Sequence, residues 1–296
     1  MTVKAPALVG VDWGTTRLRV MRLGEGGRIL EHRVDPRGAG QLTPDAFAPV
    51  LESLAGDWMD SETPVLVCGM AGARMGWVEA PYVACPADVS TLASGTVEVP
   101  GKRAVRIIPG VCVSAGDLGD VMRGEETQAM GLVDPGEDGM IVAPGTHSKW
   151  ITVRDGRIRD VRTFMTGELF SAVLKATVVG QGVGTAGKDD AAFDDGVRHA
   201  LANPGLSALL FSVRVGRLSG RLGPDAAADY LSGLLIGAEI AAAPGNGVQA
   251  VRLVGDGTLV GRYSRALTLA GRPTAPVTDG DSATARGLWR IREAST

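Results

Sequence analysis

The sequence predicts an α/β protein made of two halves with the same opening topology. Three observations lead there. Leu8 to Leu23 and Met140 to Val153 both read as strand, glycine-hydroxyl loop, strand, and each is followed by a turn and a further strand. Two runs of buried-strand character, PVLVC at 64–68 and MIVA at 140–143, end in glycine-rich loops, the arrangement by which α/β proteins present ligand sites. Segments with the helical spacing of apolar residues complete the pattern, the clearest being Asp225 to Ala243.

Composition bounds the rest. A chain of 296 residues with a net charge of -3 and 45% hydrophobic residues suits one large domain or two moderate ones. It has no basic excess, so nucleic-acid binding has no electrostatic support. The opening MTVKAPALVGVDWG runs into a strand without the apolar core and cleavage site of a signal peptide. The longest apolar helix, Leu231 to Ala243, is too short for a bilayer and carries Glu239. A cytoplasmic location is therefore expected. Cys68, Cys85 and Cys112 lack metal-ligand spacing and read as buried thiols. The 3 histidines leave little material for a zinc site or a histidine relay.

In the first half, Val9 and Val11, then Leu18 and Val20, alternate with smaller or charged residues, the period of a strand pair. The turn between them, Asp12-Trp13-Gly14-Thr15-Thr16, carries an acid, a glycine and two hydroxyls. Gly14 allows close backbone approach, successive N–H groups there can form an anion site, and Asp12 suits a hydrated Mg2+ beside a phosphate. An ordinary hairpin with a polar turn accounts for the same residues, and the turn alone does not separate the two readings. Arg28 to Val34 is the third strand, and Thr43 is expected to cap a helix with Phe47, Val50, Leu51 and Leu54 on one face. Pro64 to Cys68 leads into the loop Gly69 to Trp77, whose one fixed charge, Arg74, suits an anionic substrate. The bland alternative is a loop that needs small residues and leaves Arg74 solvated. Pro86 and Asp88 open a helix that closes near Gly95, and Ala104 to Ile108 is a strand. Asp120 is expected to cap a helix ending at Gly131, with Glu125 and Glu126 readable as its solvated face.

In the second half, Pro144-Gly145-Thr146-His147-Ser148-Lys149 separates two strands, and Asp155-Gly156 turns the chain into a third, Arg157 to Val161. This doubled loop favours a phosphate cleft. Gly180 to Gly187 reads as a mobile glycine-rich stretch, and Lys188 to Asp195 as charged surface. Ala191 to Ala202 and Leu206 to Val213 read as helices. Gln249 to Val254 is a strand ending in Gly255-Asp256-Gly257, before a helix from Leu259. Such a turn holds an adenine or ribose edge or is only a tight connection. Asp279-Gly280-Asp281 precedes the last helix, Ser282 to Arg292.

The runs GVDWGTTRLR, GMAGARMGW, DVMRGEETQAMG, APGTHSKWI, FMTGELF, YLSGLLIGAE and GDGTLVGRYSRAL follow one another along nearly the whole chain. In that order the chain resembles the actin-like, ribonuclease-H-like sugar kinases, and within them the 2-dehydro-3-deoxygalactonokinase family. DVMRGEETQ and PGTHSKW are the most specific matches. The resemblance implies two ribonuclease-H-like domains of similar topology flanking a central nucleotide cleft. Residues 1–136 would carry the sugar-acid site and residues 137–296 the nucleotide site, with the last helix free to pack back on the first domain.

It also implies ATP and Mg2+ as cofactors. The phosphates would lie between Gly14, Thr15, Thr16 and Gly145, Thr146, Ser148, Lys149. Asp12 would bind the metal, and Gly255, Asp256 and Gly257 would lie near the adenosine. Related hexose kinases carry a catalytic Asp at the start of a helix, which corresponds to Asp120, with Asp117 as runner-up. Gly69, Met70, Ala71, Arg74, Trp77, Arg123 and Glu125 would hold the sugar acid, Arg74 facing its carboxylate. The implied reaction transfers the γ-phosphoryl group of ATP to the 6-hydroxyl of 2-dehydro-3-deoxy-D-galactonate, with domain closure excluding water. The implied partners are the sugar acid and ATP, with no nucleic acid or membrane, and a homodimer stays open. The rival readings are a kinase for another sugar or sugar acid, and a non-kinase actin-like ATPase.

Overall fold

Alternating apolar residues build the first sheet of the computed structural model, which describes residues 7–114, 119–245, 250–255 and 257–295. In chain order, β1 (Leu8–Trp13), β2 (Leu18–Leu23) and β3 (Ile29–Asp35) precede α1 (Phe47–Ala55) and β4 (Val65–Gly69). Then come β5 (Val83–Ala84), α2 (Val89–Ser94), β6 (Val97–Glu98), β7 (Val105–Ile107), β8 (Val111–Val113), β9 (Asp120–Met122) and α3 (Glu125–Leu132). The second half holds β10 (Gly139–Ala143), β11 (Ser148–Arg154), β12 (Arg157–Phe164), α4 (Thr166–Ala176), α5 (Asp190–Ala202), α6 (Leu206–Leu218) and α7 (Pro224–Ala242). β13 (Val251–Gly255), α8 (Gly257–Leu269), β14 (Thr278–Asp279) and α9 (Gly280–Ala294) complete it.

The chain divides into two compact units. One is Met1–Asp138 with Ile151–Val161 and Thr278–Thr296, and the other is Gly139–Trp150 with Arg162–Val277. The large sheet of the first unit has the order β3-β2-β1-β4-β7-β6. β1 pairs antiparallel with β2, setting Asp12 opposite Arg19, and parallel with β4, setting Trp13 beside Gly69. Both faces of β1 are covered, which is why Leu8, Val9, Val11 and Trp13 are all buried. Phe47 and Leu51 of α1 pack in one core cluster with Val9, Val11 and Trp13. On the other face α9 comes so close that a Cβ on Gly10 would lie 2.7 Å from Leu288. α9 also crosses α3 backbone to backbone: a Cβ on Gly287 would lie 1.9 Å from the Thr127 carbonyl oxygen, and one on Gly131 would lie 2.0 Å from that of Ala283.

The second sheet runs β12-β11-β10-β13-β14, and β10 is parallel to β13. Its order β12-β11-β10-β13 repeats β3-β2-β1-β4. The doubled strand-loop-strand pattern in the sequence is thus a doubled topology. Behind this sheet Trp150, Phe193, Val197, Ile236 and Tyr263 share a core.

Local structure departs from expectation in three places. Asp120 caps no helix. It opens β9, paired with Val113 of β8, and its carboxylate accepts the Val121 N–H at 2.7 Å. The ladder claims 120–122, and the helix waits for Gly124, whose φ of 110° turns the chain from strand to helix. The 206 helix continues to Leu218. The stretch before α5 is tied down: Asp229 accepts the N–H groups of Gly187, Lys188 and Asp189 at 2.6, 2.9 and 2.8 Å. Asp117 and Asp256 lie outside the described residues.

Candidate active site

In the first unit the site grows from the carboxyl ends of β1 and β4. Asp12 sits at the end of β1, and Arg19 Nη1 donates to its Oδ2 at 3.0 Å. Burial pushes the Asp12 carboxyl up, and the Arg19 guanidinium opposes that. Gly69 ends β4 with φ 85°, and a Cβ there would lie 2.7 Å from the Trp13 carbonyl oxygen and 3.3 Å from Asp12 Oδ1. Gly124 is next in line: its own Cβ would lie 3.4 Å from Gly69 Cα. The first turn of α3 is thereby brought over Gly69, with Glu125 half-buried in it.

Glu126 is fully buried, which removes its reading as part of a solvated helix face. Its two carboxylate oxygens accept the Gly124 N–H at 2.9 and 2.7 Å, and Thr127 Oγ1 donates at 3.2 Å. Burial, with the Glu125 charge beside it, pushes the Glu126 carboxyl up to about 8.

The loop after β4 is less open than its composition suggests. Ala71 is fully buried, and Trp77 packs on Phe47 and Trp13 with ring centroids 5.9 Å from each. These two residues support the loop from beneath. Trp77 stays partly exposed, whereas Ala71 has no accessible surface. Arg123 is half-buried. Its Nη2 donates to the Ala80 carbonyl at 2.7 Å, and its guanidinium lies 4.4 Å over the Tyr82 ring. Arg74 is exposed, as are Thr15 and Thr16, and Met70 is half-buried. The turn at Gly14 is buttressed by a segment the sequence did not flag, through Ala39 N–H to Gly14 carbonyl at 2.9 Å and Gly40 N–H to Thr15 carbonyl at 3.0 Å.

In the second unit the loop Pro144 to His147 joins β10 to β11. Gly145 is half-buried and Thr146 is exposed. The start of α4 closes on this loop. The Glu168 N–H donates to the Thr146 carbonyl at 3.0 Å, and a Cβ on Gly167 would lie 2.6 Å from the Gly145 carbonyl oxygen. His147 Nε2 and Glu168 Oε2 are 2.5 Å apart. Ser148 and Lys149, expected among the phosphate ligands, have little exposed surface. As the first residue of β11, Ser148 turns inward, its Oγ 2.6 Å from the Tyr263 hydroxyl.

Beside the loop lies a cavity of about 430 Å³ lined by Gly145, Thr166, Gly167, Phe170, Ala186, Gly187, Ser232, Leu235, Ile236, Thr258, Leu259, Arg262 and Tyr263. Its walls are apolar with a few polar groups, the composition of a small-molecule pocket. Neither Gly255 nor Gly257 lines it: the first ends β13 with φ 138°, and the second starts α8 immediately before Thr258, which does. Arg262 Nη1 donates to Asp229 at 2.6 Å, which joins the pocket wall to the stretch 187–189. Thr166, Phe170, Arg262 and Tyr263 were not singled out from the sequence. Their signal was present in the runs FMTGELF and GDGTLVGRYSRAL, which carry the family resemblance but did not mark these residues as pocket walls. No cluster of three or more His, Cys, Asp or Glu stands as a metal cage among the described residues.

Comparisons with known proteins agree over nearly the whole chain. The family model described as 2-keto-3-deoxy-galactonokinase matches residues 12–291. The 2-dehydro-3-deoxygalactonokinase of Escherichia coli (strain K12) is 36% identical over 288 residues, 97% of this chain and 97% of that one. The crystal structure of a candidate 2-dehydro-3-deoxygalactonokinase from Sinorhizobium meliloti is similar with a TM-score of 0.90 at 38% identity, covering 97% of this chain and 98% of that one. The activator of the 2-hydroxyisocaproyl-CoA dehydratase from Clostridium difficile, solved with bound ADPNP, is similar in fold alone. Its TM-score is 0.50 at 15% identity, over 97% of this chain and 95% of that one.

Proposed function

The chain belongs to the 2-keto-3-deoxy-galactonokinase family, and from that premise we propose that it transfers the γ-phosphoryl group of ATP to the 6-hydroxyl of 2-dehydro-3-deoxy-D-galactonate, a step of galactonate breakdown. The observation that carries the proposal is the cavity beside Gly145, whose volume and apolar walls suit an adenosine, with a glycine-threonine loop at its edge for the phosphates. The second unit is the nucleotide unit in this reading, with Gly255 and Gly257 near the adenosine. The first unit is the acceptor unit, with Met70 and Arg74 on the sugar-acid loop and Gly14, Thr15 and Thr16 as its phosphate turn. The setting is the cytoplasm, where ATP is supplied. Among the described residues no helix is long and apolar enough to cross a membrane.

Mg2+ fits this donor set. It keeps most of its waters and takes few protein oxygens, and Asp12 is a carboxylate at a strand end with Arg19 on one of its oxygens. Asp12 would hold the ion through that carboxylate, and the bound ion supplies neutralisation of phosphate charge.

Phosphoryl transfer asks the protein for alignment, charge balance and a base for the acceptor proton. The acceptor oxygen bonds to the γ-phosphorus, the bond to ADP breaks, and the hydroxyl proton passes to a carboxylate. Asp120 is the base expected from the family pattern of an acid at a helix start. The position that meets this pattern is Glu125, in the first turn of α3 over Gly69, and we assign the base to Glu125 ahead of Asp120. Arg74, exposed and with no ion-pair partner among the described residues, suits bidentate contact with the substrate carboxylate.

The test is a panel of acceptors with ATP and Mg2+, followed by ADP release. A 2-keto-3-deoxy acid should be turned over far ahead of neutral hexoses. Turnover of neutral hexoses alone would move the enzyme to another acceptor. Slow ATP hydrolysis indifferent to every acceptor would make it an ATPase.

A further inference from the structure

Glu239 is a buried acid whose hydrogen-bond partners are neutral. It projects from α7 with 3% of its surface exposed. Trp150 Nε1 of β11 donates to Oε1 at 2.7 Å, and the Tyr263 hydroxyl of α8 donates to Oε2 at 2.6 Å. Thr166 Oγ1, at the start of α4, donates to Oε2 as well. Ser148 joins through the Tyr263 hydroxyl at 2.6 Å. With its proton given to Glu239, the Tyr263 oxygen accepts from Ser148, so the carboxylate orders the whole chain of hydroxyls.

These donors are not scattered. Thr166 and Tyr263 line the cavity beside Gly145, and Ser148 is the first residue of β11 after the loop. The residue after Thr166 is Gly167, which touches the Gly145 carbonyl, and the one after that is Glu168, which binds the Thr146 carbonyl. One carboxylate therefore ties Ser148, at the C-terminal end of the Gly145–Thr146 loop, and Thr166, at the start of the helix that contacts the loop, to the pocket wall at Tyr263. Burying a carboxylate among neutral donors is costly, and apolar packing would hold the same elements more cheaply. Apolar contacts are non-directional, however, and would not fix the angle of a loop.

We propose that Glu239 is a positioning residue for the nucleotide: by holding Ser148, Thr166 and Tyr263 together, it sets the Gly145–Thr146 loop against the adenosine pocket, so that one nucleotide can meet both. The inference rests on the reading of this cavity as the nucleotide site. It concerns ADP and ATP and leaves the sugar acid aside.

The test uses the full chain and Glu239→Gln. The amide keeps the shape but turns an N–H group towards partners that donate, and the Trp150 indole can only donate. ADP affinity is measured by calorimetry, KM for ATP and for the sugar acid by steady-state kinetics, and the fold by thermal melting. The expected result is a cooperatively folded variant whose ADP dissociation constant and KM for ATP rise about tenfold or more, the scale of loss from a misplaced loop. Its KM for the sugar acid should stay near the wild-type value. Trp150→Phe keeps the carboxylate, lies outside the pocket wall and removes one donor. It should shift ADP binding in the same direction by less, and it serves as the test if Glu239→Gln does not fold. A lowered melting temperature with wild-type ADP affinity in the folded variant overturns the inference and leaves Glu239 as packing. Failure of the wild type itself to bind ADP is a different result, and it removes the nucleotide reading of the cavity.

Discussion

Asp120 and Glu125 stand in different elements, β9 and α3, and a pair of substitutions separates their roles. Glu125→Gln should stay folded, keep ADP binding and lose about 10²–10⁴-fold in kcat, the usual effect of removing a positioned base. Asp120→Asn should lose much less, since Asn can still accept the Val121 N–H. The reverse ranking in single-turnover rates would return the base to Asp120. Arg74→Ala should raise KM for the sugar acid well above any change for ATP, and an unchanged sugar-acid KM would remove Arg74 from the site. Glu126 gives a stability signature. Its folded value, about 8, lies above the ordinary 4.5. The native state therefore binds a proton that the unfolded chain has released across that window, and the stability linked to it falls as pH rises from about 4.5 to about 8. Glu126→Gln should flatten that fall in melting temperature, whereas a parallel melting curve at every pH would contradict the buried, protonated carboxyl.

The helix that carries Glu125 is held by one crossing. α3 and α9 meet where Gly287 faces Thr127 and Gly131 faces Ala283, with no room for a Cβ on either glycine. Gly287→Ala should cost about 1–3 kcal/mol, the range for overpacking a tight contact, read from the denaturant midpoint. Because α3 must shift to admit the methyl group, kcat should fall as well. Full activity at reduced stability would show that the crossing does not set Glu125. This crossing could not be read from the sequence, where Gly131 looked like a helix end and Gly287 had no signal at all. β1, β2 and β4 were readable because period-two apolar runs survive without knowledge of their partners. β9 was not, since 120–122 becomes a strand only by pairing with 111–113. The same limit hid Glu239, whose carboxylate matters through donors on β11, α4 and α8 that are distant in sequence.

Across the molecule the doubled glycine-hydroxyl loop was the feature that the sequence expressed most clearly. It corresponds to the shared strand order β3-β2-β1-β4 and β12-β11-β10-β13. Which loop residues face outward was less readable. Thr15, Thr16 and Thr146 are exposed, while Ser148, Lys149 and Ala71 are buried, because strand alternation and core packing decide orientation after composition has chosen the residue types. The account as a whole rests on transfer from ATP to a keto-deoxy sugar acid. The most direct measurement incubates the purified protein with ATP, Mg2+ and 2-dehydro-3-deoxy-D-galactonate and identifies the phosphorylated product by mass spectrometry and phosphorus NMR while counting ADP. One phosphate on the 6-oxygen for each ADP formed is the predicted result. ADP formed without a phosphorylated acid, or no reaction with this acid beside rapid phosphorylation of a neutral hexose, would contradict it.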